Sequence, residues 1–211
     1  TVAHFHEWMT ASGGLYLRKA SPYTATVFST HATVMGRCIA GNGLPLYSGL
    51  GTFNADDFAR QFNVVAKHSL EKVAARNHDA FCTVSRITAK ECKYLLGSEV
   101  DVVTPNGFED GFVGEVDANE RKEARAKMIE VAEACFGKKY KKEPLIVGTS
   151  GRYEFKNKGL DVFIQALKQV AANDAEGREV LAVIAVPAAN EGPRRDLMAH
   201  LADKKNAIDA N

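Results

Sequence analysis

Ser150-Gly151-Arg152-Tyr153-Glu154-Phe155-Lys156-Asn157-Lys158-Gly159 joins a short apolar run, Leu145-Ile146-Val147, to a helical apolar pattern beginning at Val162. A strand, a glycine-bearing turn and a helix start therefore meet an Arg and a Lys six residues apart. Arg152 offers a planar fork of donors, Lys158 a mobile point charge, and a helix start its unpaired N–H groups. From such parts an α/β protein builds a site for a doubly charged phosphate. On spacing alone the two cations could equally cap the helix or solvate a loop. Their position favours a ligand, because open α/β sheets bind at the carboxyl ends of their strands.

Thr30-His31-Ala32-Thr33-Val34-Met35-Gly36-Arg37 repeats the arrangement, with His31 at a strand end and Arg37 six residues on. A helix-capping His31 and a surface Arg37 are the bland alternative. Two such clusters on facing domains would converge on a cleft. Earlier, His4-Phe5-His6-Glu7-Trp8 closes a strand and places His4 and His6 on one face, since strand side chains alternate. No third ligand stands at a telling spacing, so one histidine is expected to pack in the sheet rather than bind metal. Glu7 falls at the carboxyl edge of that strand, where it could meet a ligand. Thr104-Pro105-Asn106-Gly107 is another strand-end turn, for which Asn-Gly alone is explanation enough.

Several chemistries are missing. There is no Asp-x-Asp pair to chelate a metal-bound nucleotide diphosphate, no G-x-x-x-x-G-K-[ST], no G-x-G-x-x-G and no G-x-S-x-G. A formal net charge of +1 gives no electrostatic case for nucleic acid or a membrane surface. No apolar run approaches the roughly 20 residues of a membrane helix. Cys38, Cys82, Cys92 and Cys135 form no C-x-x-C and read as buried free thiols of a reducing compartment.

The elements that must position these residues alternate. Strands are expected at Val2–His6, Thr24–Phe28, Ala80–Val84 and Val100–Val103, with helices at Trp8–Lys19 and Ile87–Leu96. A helix could begin within His31–Ala40, capped by Thr30; a glycine-rich loop follows, and Asn54 caps a long helix with Phe58, Phe62, Val65 and Val73 on its apolar face. Residues 104–117 break the pattern; an amphipathic helix, about 119–136, should then bury Met128, Val131, Ala132 and Cys135. After Pro144 come a strand at 145–149, a helix from about 157 to 172, a strand at 180–186 and a final helix bearing Leu197, Met198 and Leu201. The fold class is α/β, with parallel sheets covered on both faces. The expected division is 1–115 as the latter part of one domain, 116–143 as a helical linker and 144–211 as the start of a second.

In order, HFHEW, STHATVMGR, TVSRIT (Thr83–Thr88), TPNG and SGRYEFKNKG resemble the glycogen synthases of the animal and fungal type over essentially the whole chain. The Val186-Pro187-Ala188 ending of the later strand fits the same family, whereas Phe108-Glu109 stands where many relatives carry Leu-Asn. The resemblance implies a GT-B architecture of two Rossmann-like domains and retaining transfer of glucose from UDP-glucose to the non-reducing end of an α-1,4-glucan. It implies no metal or other cofactor and a cytoplasmic enzyme that could be a homo-oligomer. By the same resemblance His31 and Arg37 lie by the donor sugar and its phosphates, and Glu7 and Asn106 near the transferring glucose. Arg152 and Lys158 would neutralise the diphosphate leaving group. The family's donor glycine loop is expected before residue 1 and its acidic catalytic region after residue 211, so the chain alone should be inactive. A related GT-B glycosyltransferase using ADP-glucose or another sugar nucleotide, or a non-catalytic oligomerisation module, remains the alternative.

Overall fold

Val2–His6 alternates half-buried Ala3 and Phe5 with exposed Val2, His4 and His6, and forms β1. The β-branched run Ala25–Thr30 is β2, Ala80–Thr83 is β3 and Val102–Val103 is β4. They pair in parallel in the order β1-β2-β3-β4, in a register that sets His6 beside Ser29, Thr30 beside Thr83 and Thr83 beside Val103. The computed structural model describes residues 1–112, 114–173, 177–204 and 208. They fall into two units, Thr1–Phe108 and Glu109–Asn211.

In the first unit, α1 (Glu7–Ala20) and α4 (Val65–Asn77) cover one sheet face. Phe28, Phe81, Ala11, Ala74, Cys92 and Leu96 close the core there, with Phe5 packed against them. The opposite face is open at β1, so the expected cover on both faces is not met along the Val2, His4 and His6 row. A second cluster, Met35, Ile39, Leu46, Ala55, Ala59 and Leu95, gathers α2 (Val34–Gly41), the glycine-bearing loop after it and α3 (Ala55–Gln61).

Three expectations are corrected here. Thr33, not Thr30, caps α2, its hydroxyl accepting from the Gly36 amide; Thr30 ends β2 and its hydroxyl points to Glu71. Asn54 does cap a helix, but α3 stops at Gln61 because Asn63 turns left-handed (φ 55°), and α4 starts afresh. That break rotates the second half: Val65 and Val73 face solvent, while His68, Glu71, Ala74 and Ala75 are buried. The helix expected at Ile87–Leu96 is α5 (Arg86–Glu91) running into a π-helical turn, Cys92–Leu96, that ends at left-handed Gly97.

The second unit holds α6 (Ala118–Phe136), the parallel pair β5 (Leu145–Ser150) and β6 (Val180–Ala185), α7 (Leu160–Asn173) and α8 (Arg195–Ala202). Two strands can bury little, and few of its described residues are buried, among them Ala132, Pro144, Leu160 and Leu181. Of the four residues expected beneath α6, only Ala132 is buried; Val131 is half-buried and Met128 and Cys135 are exposed. All four cysteines are free, but only Cys82 and Cys92 are buried, which corrects the reading of four buried thiols. The expected final helix, with Leu197, Met198 and Leu201, is α8; residues 205–207 and 209–211 of that tail lie outside the described residues. Among the described residues no helix is long and apolar enough to cross a membrane.

Candidate functional site

At the carboxyl ends of β1 and β2 the chain brings Glu7, His6 and His31 together. His31 directly follows β2, and its backbone N–H donates to Glu7 Oε1 at 3.0 Å. His6 Nδ1 and His31 Nε2 are 3.0 Å apart, so one proton lies between the two rings. Glu7 is held at φ 64°, a left-handed conformation that costs a non-glycine residue of order 1 kcal/mol or more. It is the first residue of α1 and turns its carboxylate toward the neighbouring strand end rather than along its own helix.

His4 and His6 share a face as expected, with ring centroids 4.1 Å apart, but neither packs inside the sheet. His4 Nε2 is 2.6 Å from Ser29 Oγ, which meets Cys82 Sγ at 2.8 Å. Burial, and then the neighbouring His6 and His31, hold the His4 pKa below its usual range. Among the described residues no group of three or more His, Cys, Asp or Glu side chains is placed to hold a metal ion.

His31 is no helix cap, since Thr33 fills that role. Arg37 lies in the first turn of α2 with an exposed side chain that has no ion-pair partner among the described residues. Asn106 is exposed in the coil after β4, where Thr104 N–H donates to the Thr83 carbonyl and extends that strand's path.

Beneath this surface are two buried carboxylates that sequence reasoning did not single out. Glu71 of α4 accepts from Thr30 Oγ1 (2.8 Å) and from Val34 N–H (2.9 Å). Glu91 of α5 accepts from Thr33 Oγ1 (2.8 Å) and Tyr47 Oη (3.0 Å). Burial pushes the Glu71 carboxyl up to about 7, against the pull of its Val34 and Thr30 bonds. Burial, and then the Glu91 charge, pushes the Tyr47 phenol up to about 12. One sequence signal was available: Glu71 sits on the same α4 stripe as Ala74 and Ala75, where an unpaired carboxylate would be costly.

In the second unit, Gly151 leaves β5 at φ 154°, a backbone that side-chain-bearing residues rarely adopt. Arg152 Nη2 pairs with Glu154 Oε1 at 3.0 Å, both side chains partly exposed, a bond worth about 0–1 kcal/mol that a phosphate could displace. The Lys158 ammonium is without a hydrogen-bond or ion-pair partner among the described residues. The helix begins at Leu160, later than expected, and the turn uses its own amides: Gly159 N–H donates to Lys156 O and Leu160 N–H to Phe155 O. Side chains, more than helix-start amides, are what this turn presents.

Parallel strands whose ends carry a His–Glu pair, with an Arg in the helix that follows, and a strand–turn–helix bearing Arg and Lys are features of the Rossmann-like α/β class. The family model for glycogen synthase matches residues 1–205. The chain is 34% identical over 200 residues to a glycogen (starch) synthase of Dictyostelium discoideum, covering 89% of this chain and 22% of that protein. It is 34% identical over 174 residues to the Neurospora crassa glycogen (starch) synthase, covering 80% of this chain and 25% of that protein. It is 33% identical over 175 residues to the human liver glycogen (starch) synthase, with 80% and 25% covered. The chain belongs to the glycogen synthase family, and it spans about a quarter of the length of these relatives.

Proposed function

We propose that this chain is the central portion of a glycogen synthase: a retaining glycosyltransferase that passes glucose from UDP-glucose to the non-reducing end of an α-1,4-glucan. The observation that carries the reading is the Glu7–His31 bond at adjacent strand ends, with Arg37 a turn further on. Glu7 and His31 act at the transferring glucose, Arg37 and Asn106 bind donor groups, and Arg152 and Lys158 take the diphosphate. The working enzyme is a cytoplasmic GT-B protein, able to form homo-oligomers, in which 1–115 and 144–211 belong to two Rossmann-like domains joined by 116–143. The piece alone does not turn over.

The chemistry suits the residue types. Breaking the anomeric C–O bond leaves positive charge on the sugar ring and negative charge on phosphate. Cations already in place stabilise that phosphate most where charge grows, so they lower the barrier more than they tighten ground-state binding. Arg152 and Lys158 are suited to this because one is only loosely paired and the other is unpaired among the described residues.

In the full-length enzyme, Arg152→Ala or Lys158→Ala should each lower kcat with UDP-glucose and glycogen about a hundredfold, near 3 kcal/mol. Wild-type rates in both would remove the phosphate role. Running the assay with ADP-glucose in parallel settles the donor base, and the isolated 211-residue chain should show no transfer.

A further inference from the structure

We propose that Glu71 is a positioning residue for the donor side of the site, holding the His31 loop in its working shape by bonding it at both ends. The inference rests on the functional reading above. Its basis is a bracket: Glu71 Oε1 takes the hydroxyl of Thr30, the residue before His31, and Oε2 takes the amide of Val34, three residues after it. The side chain is fully buried, comes from α4, and bonds the residues that flank His31.

Glu91 completes the support. It takes the Thr33 hydroxyl, and Thr33 in turn accepts from the Gly36 amide one residue before Arg37. Gly36 is where it is because a Cβ there would stand 2.2 Å from Glu91 Oε2 and 2.6 Å from Thr33 Oγ1. The Thr30 and Thr33 hydroxyls and the Val34 amide are each tied to a buried acid, and the polar side chains of residues 30–37 that keep solvent exposure are His31 and Arg37.

Besides the two acids, the loop is tied by Glu7, which accepts the His31 amide, and by the Thr83 hydroxyl, which donates to the Thr30 carbonyl. It runs from the end of β2 to the first turn of an eight-residue helix, too short to be rigid by its own backbone bonds. The charged and titratable groups around Glu71 are Glu7 on α1, Glu91 on α5 and Cys92 in the π-helical turn. None of the three is a cation, and among the described residues the partners of Glu71 are the loop's own donors. A glutamine can keep one accepted bond and donate the other to Thr30 Oγ1, whereas alanine can keep neither.

The test uses the full-length enzyme. Glu71→Ala should lower kcat about tenfold or more and shift the KM for UDP-glucose while leaving the KM for glycogen unchanged, because small misplacement of donor-side groups is costly. Glu71→Gln should return both parameters to within about threefold of wild type. A fall in kcat with both KM values unchanged would mean only a smaller folded fraction, and would overturn the proposal. So would wild-type kinetics in Glu71→Ala. If Glu71→Ala does not fold, Thr30→Val, which removes one hydroxyl and keeps the side-chain shape, must show the same donor-specific pattern at smaller size; unchanged kinetics there refute it. Amide exchange on this chain separates the two readings. Faster exchange at His31 and Val34 in Glu71→Ala, with β1 unchanged, upholds the bracket even if the wild-type enzyme fails to use UDP-glucose. Unchanged exchange overturns it even if the enzyme is active.

Discussion

Replacing Gly36 by alanine sets two effects against each other. In an open helix the change stabilises by up to about 1 kcal/mol, because glycine loses more backbone entropy. Here the new Cβ would lie 2.2 Å from Glu91 Oε2, 2.6 Å from Thr33 Oγ1 and 2.9 Å from Glu91 Cδ. Glu91 cannot swing into solvent, since it is 5% exposed, and Thr33 is fully buried. Both atoms must move, so relief breaks the Thr33–Glu91 bond and the cap on α2. Losing the cap costs about 1 kcal/mol, and an unsatisfied buried acceptor costs about 1–3 kcal/mol. Net of the propensity gain, Gly36→Ala should destabilise the first unit by about 2 kcal/mol, near 8 °C in Tm for a unit of this size. The sole tryptophan, Trp8, lies in that unit, so urea or thermal unfolding followed by its fluorescence reports it selectively. Gly13→Ala is the matched control: it is also in a helix, but the nearest atom to its Cβ is Phe5 Cε1 at 3.4 Å. It should be neutral or stabilising by up to about 1 kcal/mol. If Gly36→Ala is as stable as Gly13→Ala, the packing argument at α2 is wrong.

Two further outcomes follow from the same interior. Glu71 has a folded pKa of about 7 against 4.5, so it favours the folded state most when protonated. That contribution is complete below pH 4.5 and is lost as pH rises through 7, about 3 kcal/mol in all. Glu71→Gln should remove the loss, so its stability should match wild type at pH 4.5 and exceed it at pH 8; parallel curves would refute the assignment. Among the thiols, exposed Cys135 should react first with a soluble disulfide reagent and half-buried Cys38 more slowly. Cys82 and Cys92, the latter with its pKa pushed up by burial, should react only on unfolding; early labelling of either would contradict the core.

Much of this was legible in advance. The β-branched and alternating runs gave β1, β2, β3, β5 and β6 to within a residue or two, because period-2 burial leaves a direct trace in sequence. His31 and Glu7 stood at strand ends as their spacing implied, with Arg37 in the helix that follows. The break between α3 and α4 was not legible: Phe58, Phe62, Val65 and Val73 keep a helical period across it, and only the left-handed turn at Asn63 spoils it. Glu71 and Glu91 were passed over because a helical acid normally faces water, and only the tertiary fold reveals the hydroxyls waiting for them. The relation of Arg152 and Lys158 to His31 and Arg37 depends on two separate units, and no local pattern encodes that.

The bracket beneath His31 also orders events in time. The bonds that shape the loop join Thr30 to a residue 41 positions later and Thr33 to one 58 positions later. Such pairings pay their loop-closure entropy before they return anything, so they form after the local helices and the β1–β2 contact. A half-folded chain can hold β1, α1 and β2 in register and still present an unshaped His31 segment. Competence then arrives with the docking of α4 and α5, and damage to either helix is felt first as a loop that never sets.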